Sequence, residues 1–202
     1  ELSTELMRPK NILGNSGAMQ KFYRELAKAA PLSTPIFLRG ATGTGKELAA
    51  RAVFESNEAF SERFNVVNCA ALPDYSLFGE IFGYEKDSPE LGLSAKEGLL
   101  EKYPHSTFFF DEVSEISLPA QKMIADFLSV GRFRRLNGSA EISAKARMIF
   151  ASSIDIEKLL EQKLFDENLY AAISQNMIYL PALRDRKSDI LLLAEHFVEK
   201  YS

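Results

Sequence analysis

The sequence holds one cysteine, Cys69, and only two histidines, His105 and His196. A single cysteine excludes an internal disulfide and a cysteine-based metal cluster. Cys69 follows Asn65-Val66-Val67-Asn68, so it reads as a buried structural thiol at a strand end rather than a nucleophile. Neither histidine has a partner at ligand spacing. No apolar run approaches membrane-spanning length, and no signal peptide is visible. Internal repeats and low-complexity tracts are absent too. With a net charge of −4, the chain has no global attraction to nucleic acid or anionic membranes. These absences suit a reducing cytoplasm and leave no role for a membrane.

What is present is enough for one large domain. The 202 residues are 46% hydrophobic and 26% charged. Their anchor is Gly40-Ala41-Thr42-Gly43-Thr44-Gly45-Lys46-Glu47. Pro35-Ile36-Phe37-Leu38 before it reads as a buried strand, and Leu48 to Phe54 after it as a helix. A glycine-rich turn between strand and helix is the context of a phosphate-binding loop. Backbone N–H groups curl around one anion there, and the helix N-terminus and Lys46 add positive potential.

Residues 1–11 read as a linker remnant. Ser16 is placed to cap a helix from about Ala18 to Ala29, whose Met19, Phe22, Tyr23, Leu26 and Ala30 share a face. Phe64–Asn68 reads as a second strand, and Asp74 as the cap of a helix carrying Leu77, Phe78, Ile81 and Phe82. From Gly83 to Glu97 the pattern collapses into a long loop. Thr107 to Asp111-Glu112 is an apolar strand ending in two carboxylates. A helix with Pro119 near its start follows, then a hairpin from Phe133 to Ile142 centred on Asn137-Gly138. Arg147–Ser152 is another buried strand. Helices are expected at 156–162 and 167–173, and a last strand at 177–180. Ser188 is placed to cap a helix with Ile190, Leu193, Ala194 and Phe197 on one face.

Short apolar strands alternating with helices specify an α/β fold, a parallel sheet covered on both faces. Ligands then bind at the strands' carboxyl ends. The phosphate loop, Asn68, Asp111-Glu112 and Ser152-Ser153 all fall there. In this site Lys46 would hold the β and γ phosphates of a nucleotide. Asp111 would hold magnesium directly or through water, and Glu112 would polarise an attacking water. Asn68 is placed to hydrogen-bond Glu112 and govern when it acts. A generic P-loop follows its lysine with Ser or Thr as a magnesium ligand, but here the residue is Glu47.

The chain resembles the AAA+ domain of bacterial enhancer-binding proteins, the NtrC-like activators of sigma-54 RNA polymerase. The matching stretches are Gly40 to Glu47, Val67 to Leu72, Ile81 to Glu85, Phe110-Asp111-Glu112, and Leu180 to Arg186 with Ser188-Asp189-Ile190. They run collinearly from about Ile12 to the end, and Glu47 is usual in that family. The resemblance implies a P-loop AAA+ three-layer sandwich over residues 12–187. It implies ATP with Mg2+ between subunits of a homo-oligomer, commonly a hexameric ring. Ile12 and Leu13 would join the phosphate loop in binding the nucleotide. Residues 188–202 would begin a helical lid, most of which, with its arginine, is not in this sequence.

Three departures from the family stand out. Activators of sigma-54 carry a GAFTGA loop whose phenylalanine and threonine touch the sigma factor. The aligned Asp87-Ser88-Pro89-Glu90-Leu91-Gly92 has no aromatic residue, two added acids and a proline. Placing a carboxylate where an apolar plug is wanted costs several kcal/mol, on the order of the penalty for an unpaired polar group. The family's two arginine fingers are replaced by Asp166, which adds a negative charge, and Ala172. Losing them removes roughly 4 kcal/mol or more of transition-state stabilisation. The alanine-threonine-asparagine after the fourth core strand reads Ala151-Ser152-Ser153, where a serine hydroxyl partly replaces the amide.

The leading reading is therefore an ATP-binding regulatory domain of a transcription factor, impaired in hydrolysis and in sigma-54 contact, with nucleotide setting its oligomeric state. DNA would be bound by a helix-turn-helix domain outside this chain, and the protein would work with the housekeeping RNA polymerase holoenzyme or as a repressor. The alternatives are an active sigma-54 activator with a rewired loop, and an assembly module with a vestigial P-loop. A further alternative is a cyclic di-GMP sensor, on the faint likeness of Leu6-Met7-Arg8 and Glu47 to Arg51 to segments of relatives that bind it. The basic cluster Arg132, Arg134, Arg135 reads either as a nucleic-acid patch or as a hairpin face with Arg135 near a neighbouring subunit's nucleotide, as the family suggests.

Overall fold

A computed structural model describes residues 12–71, 73–86 and 94–201. In chain order the elements are α1 (Gly17–Ala29), β1 (Ile36–Arg39), α2 (Lys46–Glu55), β2 (Phe64–Asn68), α3 (Asp74–Phe82), β3 (Gly83–Tyr84) and β4 (Lys96–Glu97). They continue with α4 (Leu99–Lys102), β5 (Thr107–Asp111), α5 (Leu118–Val130), β6 (Arg132–Phe133), β7 (Ile142–Ser143) and β8 (Arg147–Ser152). The last are α6 (Ile156–Glu161), α7 (Glu167–Ile173), β9 (Met177–Tyr179) and α8 (Ile190–Tyr201). Among the described residues, no helix is long and apolar enough to cross a membrane.

Five strands form one parallel sheet in the order β2-β5-β8-β1-β9. Their side chains alternate between two cores, as strand geometry requires. Phe37, Phe108, Phe110, Met148 and Phe150 pack with α3, α5 and α7 on one face. Ile36, Leu38, Phe109, Ile149 and Ala151 pack with α1 and α2 on the other. The result is the expected three layers. Phe110 and Phe150 stack across neighbouring strands with centroids 5.0 Å apart. Each buried phenylalanine of this kind contributes roughly 1.5–3 kcal/mol. The buried residues of α2 facing the sheet include Ala49, Ala50 and Val53. Their small side chains bring this helix close to the strands from which the phosphate loop rises.

Several local expectations change. Asp74 is the first residue of α3 rather than its cap, and Pro73 takes the cap position. Its carboxylate instead accepts from the Ser117 N–H at 3.1 Å, tying α3 to the start of α5. The expected hairpin forms, with β6 paired antiparallel to β7, but its ladder lies well back from Asn137-Gly138. Leu136 is drawn off to bridge Tyr84 instead, so the tip joins the base of the neighbouring loop. That loop also has a paired base, since β3 and β4 form an antiparallel ladder. Residues 87–93, which include the stretch aligned with GAFTGA, lie outside the described residues, as do 1–11 with Leu6-Met7-Arg8.

Ser16 caps α1 as expected, its hydroxyl accepting from the Met19 N–H. Ser188 does not cap α8: residues 187–189 form a 3-10 turn, and α8 starts at Ile190. Asp189 in that turn serves the other end of the domain. Its buried carboxylate accepts from the Asn15 N–H at 2.7 Å and the Ser16 N–H at 2.9 Å. Burial works against this charge, but the Ser16 and Asn15 donors and nearby Arg186 outweigh it and hold the carboxyl below its ordinary value. A carboxyl so depressed contributes stability that is complete above its unfolded pKa, about 3.9, and is lost as pH falls through the lower folded value. Asp189→Asn should therefore cost roughly 1–3 kcal/mol at pH 7. Below about pH 4 the gap between variant and wild type should narrow. Urea midpoints at pH 7 and pH 3 measure both.

Candidate nucleotide site

The phosphate loop leaves the carboxyl end of β1 and turns directly into α2. Gly45 sits at the cap position with φ 101°, a left-handed conformation that suits glycine and leaves α2 without a side-chain cap. The first N–H groups of α2 therefore remain available to an anion. Gly40 is needed for space. A Cβ there would lie 2.8 Å from the Thr44 hydroxyl and 2.9 Å from the Leu180 carbonyl oxygen.

Lys46 opens α2 with its side chain only 6% exposed. Its ammonium donates to the Gly40 carbonyl at 3.1 Å and pairs with Glu112 Oε1 at 3.1 Å. Glu112 follows β5 with φ 54° and ψ 59°, a left-handed backbone rarely adopted by a non-glycine residue. Such a conformation costs about 1–3 kcal/mol and persists where surrounding contacts hold it. Those contacts are visible at its other oxygen. Oε2 accepts from the Ser153 N–H at 2.8 Å and the Ser153 hydroxyl at 2.9 Å. Burial opposes the Glu112 charge, but the Ser153 donors and Lys46 prevail and keep its carboxyl below the ordinary range. Asp111 goes the other way. Burial and the adjacent Glu112 carboxylate raise its pKa, against the pull of Lys46.

Asn68 pairs in register with Asp111, so it lies at the same sheet end as the carboxylates. The expected Asn68–Glu112 bond is not formed here. Asn68 Oδ1 accepts from the Ala70 N–H at 3.1 Å, closing its own turn, and both Glu112 oxygens are engaged elsewhere. Glu47 points outward and pairs with Arg51 at 3.2 Å. Arg51 also lies 4.8 Å over the Phe64 ring. Cys69 is buried, and burial followed by the charge of Asp111 pushes its thiol up.

Among the described residues, no cluster of three or more His, Cys, Asp or Glu could hold a metal by itself. Asp111 and Glu112 supply oxygen donors only. This set fits Mg2+, which takes one or two carboxylates and fills its remaining positions with water and phosphate oxygens. Asp111 is the residue that would hold it, and the ion would neutralise charge on the transferred phosphate.

Beside the loop lies a cleft of about 930 Å³. Ala41 to Gly45 form one wall, Ile12 and Leu13 a second, and Leu183, Ile190, Leu193 and Phe197 a third. The size suits a nucleotide. Arg184, His196 and Lys200 add polar groups to the lining. Periodicity makes the shared face of the last helix legible, and only the family resemblance pointed to its place as the start of a lid. The backbone at Ile12 is also fixed by a contact without a sequence signal: the Tyr23 hydroxyl donates to its carbonyl at 2.9 Å. Arg186 reaches the Leu13 carbonyl at 3.4 Å.

The residues at the finger positions are built differently from the expectation. Asp166 does not project a negative charge outward. It is 8% exposed and caps α7, its carboxylate accepting from the Leu169 N–H at 2.9 Å while its own N–H donates to Gln121 at 2.7 Å. Ala172 sits on the same helix. Arg39, the residue before the loop, pairs with Glu157 at 2.7 Å and Asp155 at 3.1 Å, and the Tyr170 hydroxyl donates to that same glutamate. The basic cluster is paired within the chain. Arg135 binds Glu101 at 2.7 and 2.9 Å and Glu85 at 3.5 Å, and Arg132 and Arg134 both face Glu141. All three arginines thus have carboxylate partners within the chain, while Arg132 and Arg134 stay exposed.

Comparison with known proteins adds a family. Residues 12–179 match the Sigma-54 interaction domain. The Regulatory protein AtoC of Escherichia coli is 36% identical over 192 residues, which are 95% of this chain and 42% of that protein. The Transcriptional regulator VasH of Vibrio cholerae is 36% identical over 193 residues, 96% of this chain and 36% of that protein. The chain thus spans well under half the length of these relatives. Among solved structures, NtrX from Brucella abortus in complex with ATP superposes with a TM-score of 0.82 at 28% identity, covering 94% of this chain and 42% of that one. The P-loop NTPase domain of a sigma-54 activator from E. coli superposes at 0.58 with 15% identity over 85% of this chain and 99% of that one, a likeness of fold alone.

Proposed function

Because this chain belongs to the Sigma-54 interaction domain family, we propose that it is the ATP-binding domain of a bacterial transcriptional regulator, one that binds ATP with Mg2+ and hydrolyses it slowly or not at all. The observation that carries the reading is a contrast within one molecule. Lys46, Asp111 and Glu112 stand together at the carboxyl end of the sheet, while the finger position holds Asp166, turned inward as a helix cap. Binding needs only the first group. Cleavage between subunits needs the second, where an arginine contributes roughly a thousandfold or more.

Nucleotide then acts on assembly. In this reading ATP in the cleft bridges the phosphate loop and α8, the start of a helical lid, and sets the oligomeric state of a ring or dimer. The stretch Asp87-Ser88-Pro89-Glu90-Leu91-Gly92 lacks the aromatic residue that sigma-54 contact needs. The polymerase holoenzyme would therefore be met in another way, in the cytoplasm, with DNA held by a further domain. Phosphate release by the purified chain, followed as its concentration is raised, tests this. Turnover about a thousandfold or more below that of a finger-equipped ring is the expected result. Brisk turnover that rises cooperatively with concentration would overturn it.

A further inference from the structure

We infer that Asp189 is a positioning residue for the nucleobase end of the cleft: it fastens the segment before α1 to the turn that starts α8, so that the two walls there meet a nucleobase as one preformed piece. The inference deepens the proposed function and rests on its reading of the cleft as a nucleotide site. Ile12 and Leu13 form one of these walls, and Ile190, Leu193 and Phe197 form the other. Asp189 Oδ1 joins them by accepting from the Asn15 N–H at 2.7 Å, across 174 residues of chain, and from the Ser16 N–H at 2.9 Å. The residue is 1% exposed and stands at the N-terminus of α1, where the helix dipole favours a carboxylate. Its own N–H donates to the Arg186 carbonyl at 2.9 Å, closing the turn from which α8 continues at Ile190.

The joint is tightly packed. Gly14 lies directly against Asp189, since a Cβ there would come 2.9 Å from Oδ2 and 2.6 Å from Met19 Cγ. The backbone between is fixed as well. Arg186 donates to the Leu13 carbonyl at 3.4 Å, and the Tyr23 hydroxyl to the Ile12 and Gly14 carbonyls at 2.9 and 3.3 Å. Asp189 and Gly14 do not themselves line the cleft, so they reach the site only through what they hold. The phosphate end is built separately, where β1 turns into α2 and Lys46 meets the Gly40 carbonyl. Loss of the joint therefore loosens the nucleobase end and leaves the phosphate end as it is. A loosened wall must be ordered when a ligand binds, and that entropy is subtracted from the affinity.

The test is calorimetry with Mg2+, using ATP and inorganic tripolyphosphate, on wild type, Asp189→Ala, Asp189→Asn and Gly14→Ala. Asp189→Ala should bind ATP about tenfold more weakly, a loss equal to ordering roughly one residue's backbone on binding. It should bind tripolyphosphate as wild type does. Asp189→Asn keeps an oxygen for both N–H groups and should retain most of the ATP affinity. Gly14→Ala displaces the same wall from the other side and should repeat the Asp189→Ala pattern, which keeps the inference testable if Asp189→Ala does not fold. Equal weakening of ATP and tripolyphosphate is the mark of a merely structural defect and overturns the inference, as does an unchanged ATP affinity. Wild type that binds ATP but no tripolyphosphate also overturns it, because the two ends would then not act separately. Failure of wild type to bind ATP overturns the nucleotide reading instead.

Discussion

Replacing Lys46 with alanine is expected to weaken ATP binding by about 100-fold or more. The ammonium is the full positive charge at the phosphate loop and faces the Gly40 carbonyl, and hydrogen bonds to charged groups are worth about 1.5–3 kcal/mol each. Contacts to two phosphates give the stated loss. A second readout follows from linkage. Ligand at 100 times its Kd stabilises a fold by about 2.7 kcal/mol. ATP should therefore raise the melting temperature of wild type, and the same concentration should leave Lys46→Ala nearly unmoved. The variant should still fold, because Glu112 keeps its two Ser153 donors and is partly open to solvent. Calorimetry with ATP and a thermal melt with and without it measure the two effects. Unchanged affinity would remove Lys46 from the site.

The largest effect on stability is expected at Arg147. This side chain is fully buried at the start of β8. It donates to the Ala30 carbonyl at 2.7 Å and the Ala29 carbonyl at 2.8 Å. Those are carbonyls at the C-terminus of α1, which have no partners within the helix, and the helix dipole favours a cation there. Burial pushes the guanidinium down to about 10, so it remains charged at neutral pH. Arg147→Ala removes one of two donors from each carbonyl, leaving the Leu32 N–H on Ala29 and the Asn57 amide on Ala30, and opens a large cavity, at a cost of roughly 3–5 kcal/mol. Arg147→Met fills most of the volume and should cost less, roughly 1–3 kcal/mol, the share of the lost hydrogen bonds. Urea denaturation should show lower midpoints in that order with similar slopes. ATP affinity should change little, since Arg147 opens the strand that Ser152 closes, and the cleft lies at the Ser152 end.

Arg147 also shows where reading a sequence stops. It begins an apolar run, and nothing at that position signals a buried cation. Its partners are α1 carbonyls more than a hundred residues away, and a backbone carbonyl has no identity in the sequence. Asp189 is the same case reversed. The motif around it was legible, but its carboxylate bonds Asn15 and Ser16 rather than anything near α8. Asp166 was legible only as a missing arginine. Helix capping, a local use that Asp serves well, decided its direction.

The strands, most of the helices and the phosphate loop follow from the sequence alone. Apolar periodicity and glycine spacing are local properties, and local geometry determines the faces they make. Strands β2 and β8 match their expected bounds to the residue; β8 is a continuous buried run, while β2 alternates buried and exposed positions. Tertiary structure decided which charges meet. Ion pairs and side-chain hydrogen bonds join residues far apart in the chain, and their formation depends on distances of a few tenths of an ångström that no spacing rule encodes. The order β2-β5-β8-β1-β9 brings Glu112 against both Lys46 and Ser153. That meeting of three strand ends sets the carboxylate of Glu112 beside a recognisable phosphate loop, between an ammonium and a serine.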